Sequence, residues 1–155
     1  MAQSPTGTIV LCVDGSDSSV QAVAEGFALL PRDSHVVIAT VVEPSDPSLV
    51  MGGGGHAGGI MTGEEFEQHE KTRESDGREI AERAAAAIDV EAPEIRVVDG
   101  EAGRALCDLA VELSARALVL GTRGRGGIKR ALLGSVSDYV VRNAPCPVVI
   151  TAVNS

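Results

Sequence analysis

Aromatic side chains are nearly missing from this chain: Phe, Tyr and Trp make up 2% of it, and Trp is absent. Modules that read single-stranded nucleic acid stack bases on exposed rings, so that mode of recognition has no material here. Positive charge is scarce too. There are 13 Lys and Arg against 22 Asp and Glu, a formal net charge of −9 that repels nucleic acid and anionic membranes at long range. Cysteine is limited to Cys12, Cys107 and Cys146, an odd number with no CxxC pair, so zinc and redox motifs find no support. The three read as small apolar core residues in a reducing compartment. No apolar run reaches the roughly 18 residues of a membrane span. The opening MAQSPTGT lacks the basic and apolar regions of a secretory signal. A soluble, cytoplasmic protein is expected, binding neither nucleic acid nor membrane.

What remains is aliphatic. A chain of 155 residues, 44% hydrophobic and 23% charged, suits one domain over 1–155 with a core of Val, Ile, Leu and Ala. Short apolar, β-branched runs recur at 8–13 (TIVLCV), 35–42 (HVVIATVV), 94–98 (EIRVV), 117–120 (ALVL) and 148–153 (VVITAV). Continuous apolar runs of this kind mark strands buried on both faces, as in a parallel sheet. Helical spacing fills the gaps: 18–30, with Ser16 as N-cap; 63–88, opened by the capping box Thr62-x-x-Glu65; 103–115; and 136–143. The charged first half of 63–88 reads as solvated and its Ala-rich second half as packed. Strand and helix alternate throughout, which predicts an α/β fold with a five-stranded parallel sheet and helices on both faces. The segment 45–62 is long and glycine-rich, and reads as a mobile flap over a pocket mouth.

One stretch stands apart. Residues 121–135, GTRGRGGIKRALLGS, carry five glycines and four of the 13 cations, namely Arg123, Arg125, Lys129 and Arg130. A strand end, a glycine-rich loop and a helix start in that order form an anion site. Backbone donors of Gly124, Gly134, Ser135 and Val136 would set its geometry. The helix N-terminus adds partial positive charge, with Ser135-x-x-Asp138 read as an acidic capping box. Arg123 and Arg125 are the cations best placed to touch phosphate. A Walker A loop does not fit, because no Lys-Ser/Thr follows Gly126-Gly127. A GxGxxG fingerprint from Gly124 meets Lys129 where its last glycine belongs. Without the Walker lysine and hydroxyl the usual hydrolytic machinery is missing. No catalytic residue and no metal cluster is assigned. At the strand ends, Asp14 reads locally as a turn acid or as a ligand, and Val41 as core.

The spacing that fits is Gly121-x2-Gly124-x9-Gly134-Ser135. In this motif, in VDGS at Asp14, in the TVV strand end and in the terminal NAPCPVVI, the chain resembles the nucleotide-binding type of the universal stress protein family. The resemblance covers nearly the whole chain. It implies a three-layer α/β/α sandwich, Rossmann-like, with strand order 3-2-1-4-5. It implies an adenine nucleotide as ligand: ATP, with AMP or cyclic AMP as alternatives and Mg²⁺ accompanying ATP near Asp14. By the same resemblance Asp14 contacts the adenine or ribose, and the Val41 main chain contacts adenine. Leu120 and Gly121 flank the adenosine, while Gly124, Gly134, Ser135 and Val136 hold the phosphates. A homodimer through the last strand, 148–153, is implied as well. The expected role is stress response or signalling with little or no turnover. A slow ATPase or a phosphotransferase using Ser135 or Thr122, and a nucleotide-free interaction module, are the alternatives.

Overall fold

The computed structural model describes residues 7–50, 60–122 and 133–153. Five aliphatic runs become five strands: β1 (Thr8–Cys12), β2 (His35–Val42), β3 (Glu94–Asp99), β4 (Ala117–Gly121) and β5 (Val148–Thr151). They form one sheet in the order β3-β2-β1-β4-β5, and every ladder is parallel. β1 lies at the centre, with Val10 opposite Val37 of β2 and Leu118 of β4. Val10, Leu11, Val37, Ile38, Ala39, Leu118 and Val119 have no exposed surface. These strands are covered on both faces, which is why their sequences run apolar without alternation.

Four helices do the covering: α1 (Asp17–Phe27), α2 (Gly63–Ile88), α3 (Ala102–Glu112) and α4 (Ser135–Asn143). Alternate residues of β1 point to opposite sides. Ile9, Leu11 and Val13 pack with Val23 and Phe27 of α1 and Ala81, Ala84 and Ile88 of α2. Val10 and Cys12 pack with Leu106, Leu109 and Ala110 of α3 and Val140 of α4. The result is the three-layer α/β/α sandwich with order 3-2-1-4-5.

Local chemistry explains most element ends. Ser16 Oγ accepts the Ser19 amide and starts α1. Thr62 and Glu65 close the expected capping box, with Glu65 N–H to Thr62 Oγ1 at 3.2 Å and Thr62 N–H to Glu65 Oε2 at 2.6 Å. α2 is solvated early, and its buried positions are Gly77, Ala81, Ala84 and Ile88. Several boundaries differ from expectation, most by one residue and the ends of α1, α3 and β5 by two or three. α1 stops at Phe27, β5 stops at Thr151, and β3 runs on to Asp99. α3 begins at Ala102 because the Glu101 carboxylate accepts the amides of Gly103 and Arg104, each at 3.2 Å. The centre of the expected flap, 51–59, lies outside the described residues. Its flanks hold a short 3₁₀ turn (Pro47–Leu49) and a bridge between Val50 and Met61.

The two edges of the sheet differ. On β3, Glu94 meets the His35 ring at 3.1 Å, and Arg96 reaches Glu94 at 3.5 Å and Glu112 at 2.6 Å. On β5, the strand at the other edge, the partly buried residues Val148, Val149, Ile150 and Thr151 carry no charge.

Two predictions come from this packing. A Cβ on Gly103 would lie 2.8–2.9 Å from the Tyr139 ring and Cβ, so α3 and α4 touch through a missing side chain. Gly103→Ala should lower stability by about 1–3 kcal/mol in denaturant titrations. In a Tyr139→Ala background the same substitution should cost less, because the ring contacts are gone while the Cβ contact at 2.9 Å remains. Burial, aided by the nearby Cys107 and Cys146 thiols, pushes the Cys12 thiol up from 9.0 to about 12. At pH 8 roughly one thiol in ten thousand is then the reactive thiolate. Cys12 should resist a thiol-labelling reagent in the folded protein and react once denaturant is added, as read by mass spectrometry of tryptic fragments.

Candidate functional site

In a parallel sheet all strands end on the same side, and the chain leaves β1 and β4 toward opposite faces. β1 leads into α1 on one face and β4 leads to α4 on the other. A crevice opens where neighbouring connections diverge, and open α/β sheets bind ligands there. The structure has such a cleft, of about 760 Å³, above β1, β2 and β4. That volume lies within the range of small-molecule sites.

The turn after β1 is tightly bonded. Asp14 Oδ1 accepts the Ser16 amide at 2.9 Å and the Ser16 hydroxyl at 2.6 Å. Ser19 Oγ accepts the Asp14 amide at 3.3 Å and donates to the Ser16 carbonyl at 2.9 Å. Asp14 is therefore a turn acid, and it also lines the cleft; the two local readings of it are compatible.

The exit from β4 is pinned just as firmly. The Thr122 carbonyl accepts the Gly134 amide at 2.7 Å and the Ser137 hydroxyl at 3.2 Å. Thr122 N–H donates to the Thr151 carbonyl at 3.1 Å. Residues 122 and 134 are thus tied together across the 123–132 segment. Here the expected capping box needs correcting. The N-cap of α4 is Gly134, in extended conformation (φ −67°, ψ 169°), and Ser135 is the first helical residue. No side chain caps the helix. The hydroxyl that comes closest to that role, Ser137, is turned back to the carbonyls of Thr122 and Gly134. The first-turn amides of a helix point out of its N-terminal end, and here the residues bearing them, Ser135, Val136 and Ser137, line the cleft.

Of the residues expected from the sequence, Asp14, Val41, Leu120, Gly121, Gly134, Ser135 and Val136 come together around this one cleft. Arg123, Gly124 and Arg125 lie outside the described residues. The sequence reading missed the wall supplied by α2, where Arg73, Asp76, Gly77 and Ile80 face the end of β2. A signal was present in Gly77, a glycine inside a long helix, which costs about 1 kcal/mol relative to Ala and asks for a packing reason. The reason is contact: a Cβ there would meet Val97 at 2.9 Å and Val42 at 3.0 Å. Arg73 Nη1 pairs with Glu70 at 2.8 Å, and Glu70 also accepts the Ser45 amide at 3.1 Å. Hydrogen bonds from Ser45, and then Arg73, hold the Glu70 carboxyl below its ordinary value against a smaller opposing effect of desolvation. Among the described residues, no group of three or more His, Cys, Asp or Glu is placed to hold a metal ion. No helix among them is long and apolar enough to cross a membrane.

Comparison with known proteins bears on what this cleft is for. The universal stress protein family model matches residues 5–152. A universal stress protein of Synechocystis sp. is 30% identical over 149 residues, covering 93% of this chain and 96% of its own. One from Thermus aquaticus is 30% identical over 145 residues, covering 92% and 96%. A crystal structure of a universal stress protein in complex with cAMP superposes with a TM-score of 0.64 at 28% identity, covering 96% of this chain and 98% of that one.

The Ser137 hydroxyl is the buried link between the β4 exit and the α4 start. Ser137→Ala should cost about 1 kcal/mol of stability, measured by chemical denaturation. It should also raise amide exchange at Gly134, whose bond to Thr122 it supports.

Proposed function

The chain belongs to the universal stress protein family, and from that premise we propose that it binds an adenine nucleotide, ATP in the first place, with little or no turnover. The nucleoside lies over the ends of β1 and β2, against Asp14, Val41, Leu120 and Gly121. The phosphates lie at the start of α4, where Ser135 and Val136 offer backbone N–H groups and Ser135 its hydroxyl; the Gly134 amide, expected to be a third donor, is instead given to the Thr122 carbonyl. Arg123, Gly124 and Arg125, which lie between β4 and α4 in the sequence, would complete the phosphate side. The observation that carries the reading is the uncapped N-terminus of α4 opening into the cleft at the β1/β4 crossover. Such an end attracts anions through its free amides and its dipole. The relative with bound cAMP, at 28% identity, supports adenine as the base.

The donor set fits a nucleotide better than a resident metal. Asp14 spends one carboxylate oxygen on Ser16, so Mg²⁺ would arrive with ATP, held by phosphate and water and with Asp14 as the adjacent carboxylate. The aliphatic edge of β5 would pair with a second copy to form a homodimer, since an apolar open edge gains from being covered. A role in stress response or signalling follows from family membership and from a site built to hold a nucleotide.

A conservative change tests the phosphate side. Proline is tolerated at the first position of a helix. The residue before it must be extended, as Gly134 already is. Ser135→Pro should therefore leave the melting temperature nearly unchanged while removing one amide and one hydroxyl. By isothermal titration on nucleotide-free protein, ATP affinity should fall about tenfold or more, in line with a lost charge-assisted bond, and adenosine affinity should hardly move. Wild-type protein that binds no ATP, AMP or cyclic AMP at millimolar ligand would sink the reading. Phosphate release in proportion to added protein would favour a slow ATPase instead.

A further inference from the structure

Arg73 has a role that the α4 side of the cleft does not account for. Its side chain is 18% exposed, and it lines the cleft from α2. One nitrogen, Nη1, is fixed by Glu70 at 2.8 Å. Glu70 is itself fixed by the Ser45 amide, so the guanidinium is held from behind. The other nitrogen, Nη2, is buried and has no hydrogen-bond partner among the described residues. A buried charged donor without an acceptor is costly, and a guanidinium can only donate. The close approach of α2 to β2 and β3 at Gly77 sets the helix where Arg73 reaches the cleft. Position decides what acceptor it would meet. α2 packs over β2 and β3, whereas the amides of α4 stand beyond β4. β2 and β4 are separated by β1, which is two strand spacings, roughly 10 Å. Arg73 thus stands at the end of the cleft away from the phosphate side.

On the reading that the cleft holds an adenine nucleotide, we propose that Arg73 recognises the nucleoside, its guanidinium turning on Glu70 to donate to an acceptor nitrogen of the base. Glu70 and Ser45 position it. This gives the base a side-chain contact in addition to the main chain of β2, and makes α2 part of the site that selects the ligand.

The test is isothermal titration of adenosine, AMP and ATP into wild-type protein, Arg73→Lys and Arg73→Gln, with melting temperatures recorded alongside. Lysine keeps a cation for Glu70 but has no second planar donor. Both variants should bind all three ligands about tenfold to a hundredfold more weakly, by the same factor for each, and Arg73→Lys should melt with wild type. Unchanged affinity in both variants overturns the proposal. So does a loss confined to AMP and ATP, which would make Arg73 a phosphate contact, or full recovery in Arg73→Lys, which would make it a brace for Glu70. Wild-type protein that binds none of the three overturns the nucleotide reading itself, and that result is seen before any variant is measured.

Discussion

The central strand β1 is shared between two parallel ladders, and much of the molecule follows from that. Parallel pairing sends every strand end to one side of the sheet. Right-handed crossovers then oblige the connections from β1 and β4 to leave toward opposite faces. Neighbouring strands whose exits diverge cannot be bridged by backbone, so a crevice is left between them. Its walls are the turn at Asp14, the end of β2, the start of α4 and the middle of α2. The core supplies the rigidity, because the strands that carry these walls have no exposed side chains at Val10, Leu11, Val37, Ile38, Leu118 and Val119.

The pinned carbonyl of Thr122 shows how such a sheet can hold a helix start at a fixed place. The Gly134 amide, the Ser137 hydroxyl and the hydrogen bond from Thr122 N–H to the Thr151 carbonyl hold both ends of the 123–132 segment in place. Whatever conformation lies between, the helix start keeps its distance from β4. The uncapped amides of α4 follow from the same arrangement. A Ser or Asp at position 134 would have capped them from within, as these residue types do. Glycine leaves them for something else.

Much of this was legible in the sequence. β2 and α2 were read to the residue, because an eight-residue aliphatic run admits one interpretation and Thr62-x-x-Glu65 fixes a helix start by chemistry alone. The gathering of Asp14, Val41 and Gly121 could be foreseen from topology, since all lie at strand exits. Three things could not. The N-cap of α4 looked like Ser135 because serine is a favoured capping residue, but tertiary bonds to Thr122 draw the chain one residue earlier. The cap at Glu101 was missed because Glu is not among the favoured N-cap types. Arg73 looked like part of a solvated face because helical spacing says nothing about what a long side chain meets beyond its own helix. Gly77 was the visible clue, and its meaning depended on Val42 and Val97, which are distant in sequence.

The unequal edges of the sheet carry a consequence for growth. Backbone donors and acceptors at an edge invite another strand, and charged side chains there discourage it. The β3 edge is guarded by His35, Glu94, Arg96 and Glu112, while β5 offers an aliphatic row. A molecule adhesive at both edges could add copies without end and form fibres. With one edge closed by charge, pairing of β5 with a second copy, where it occurs, would stop at that single partner, and the fold would carry its own chain terminator.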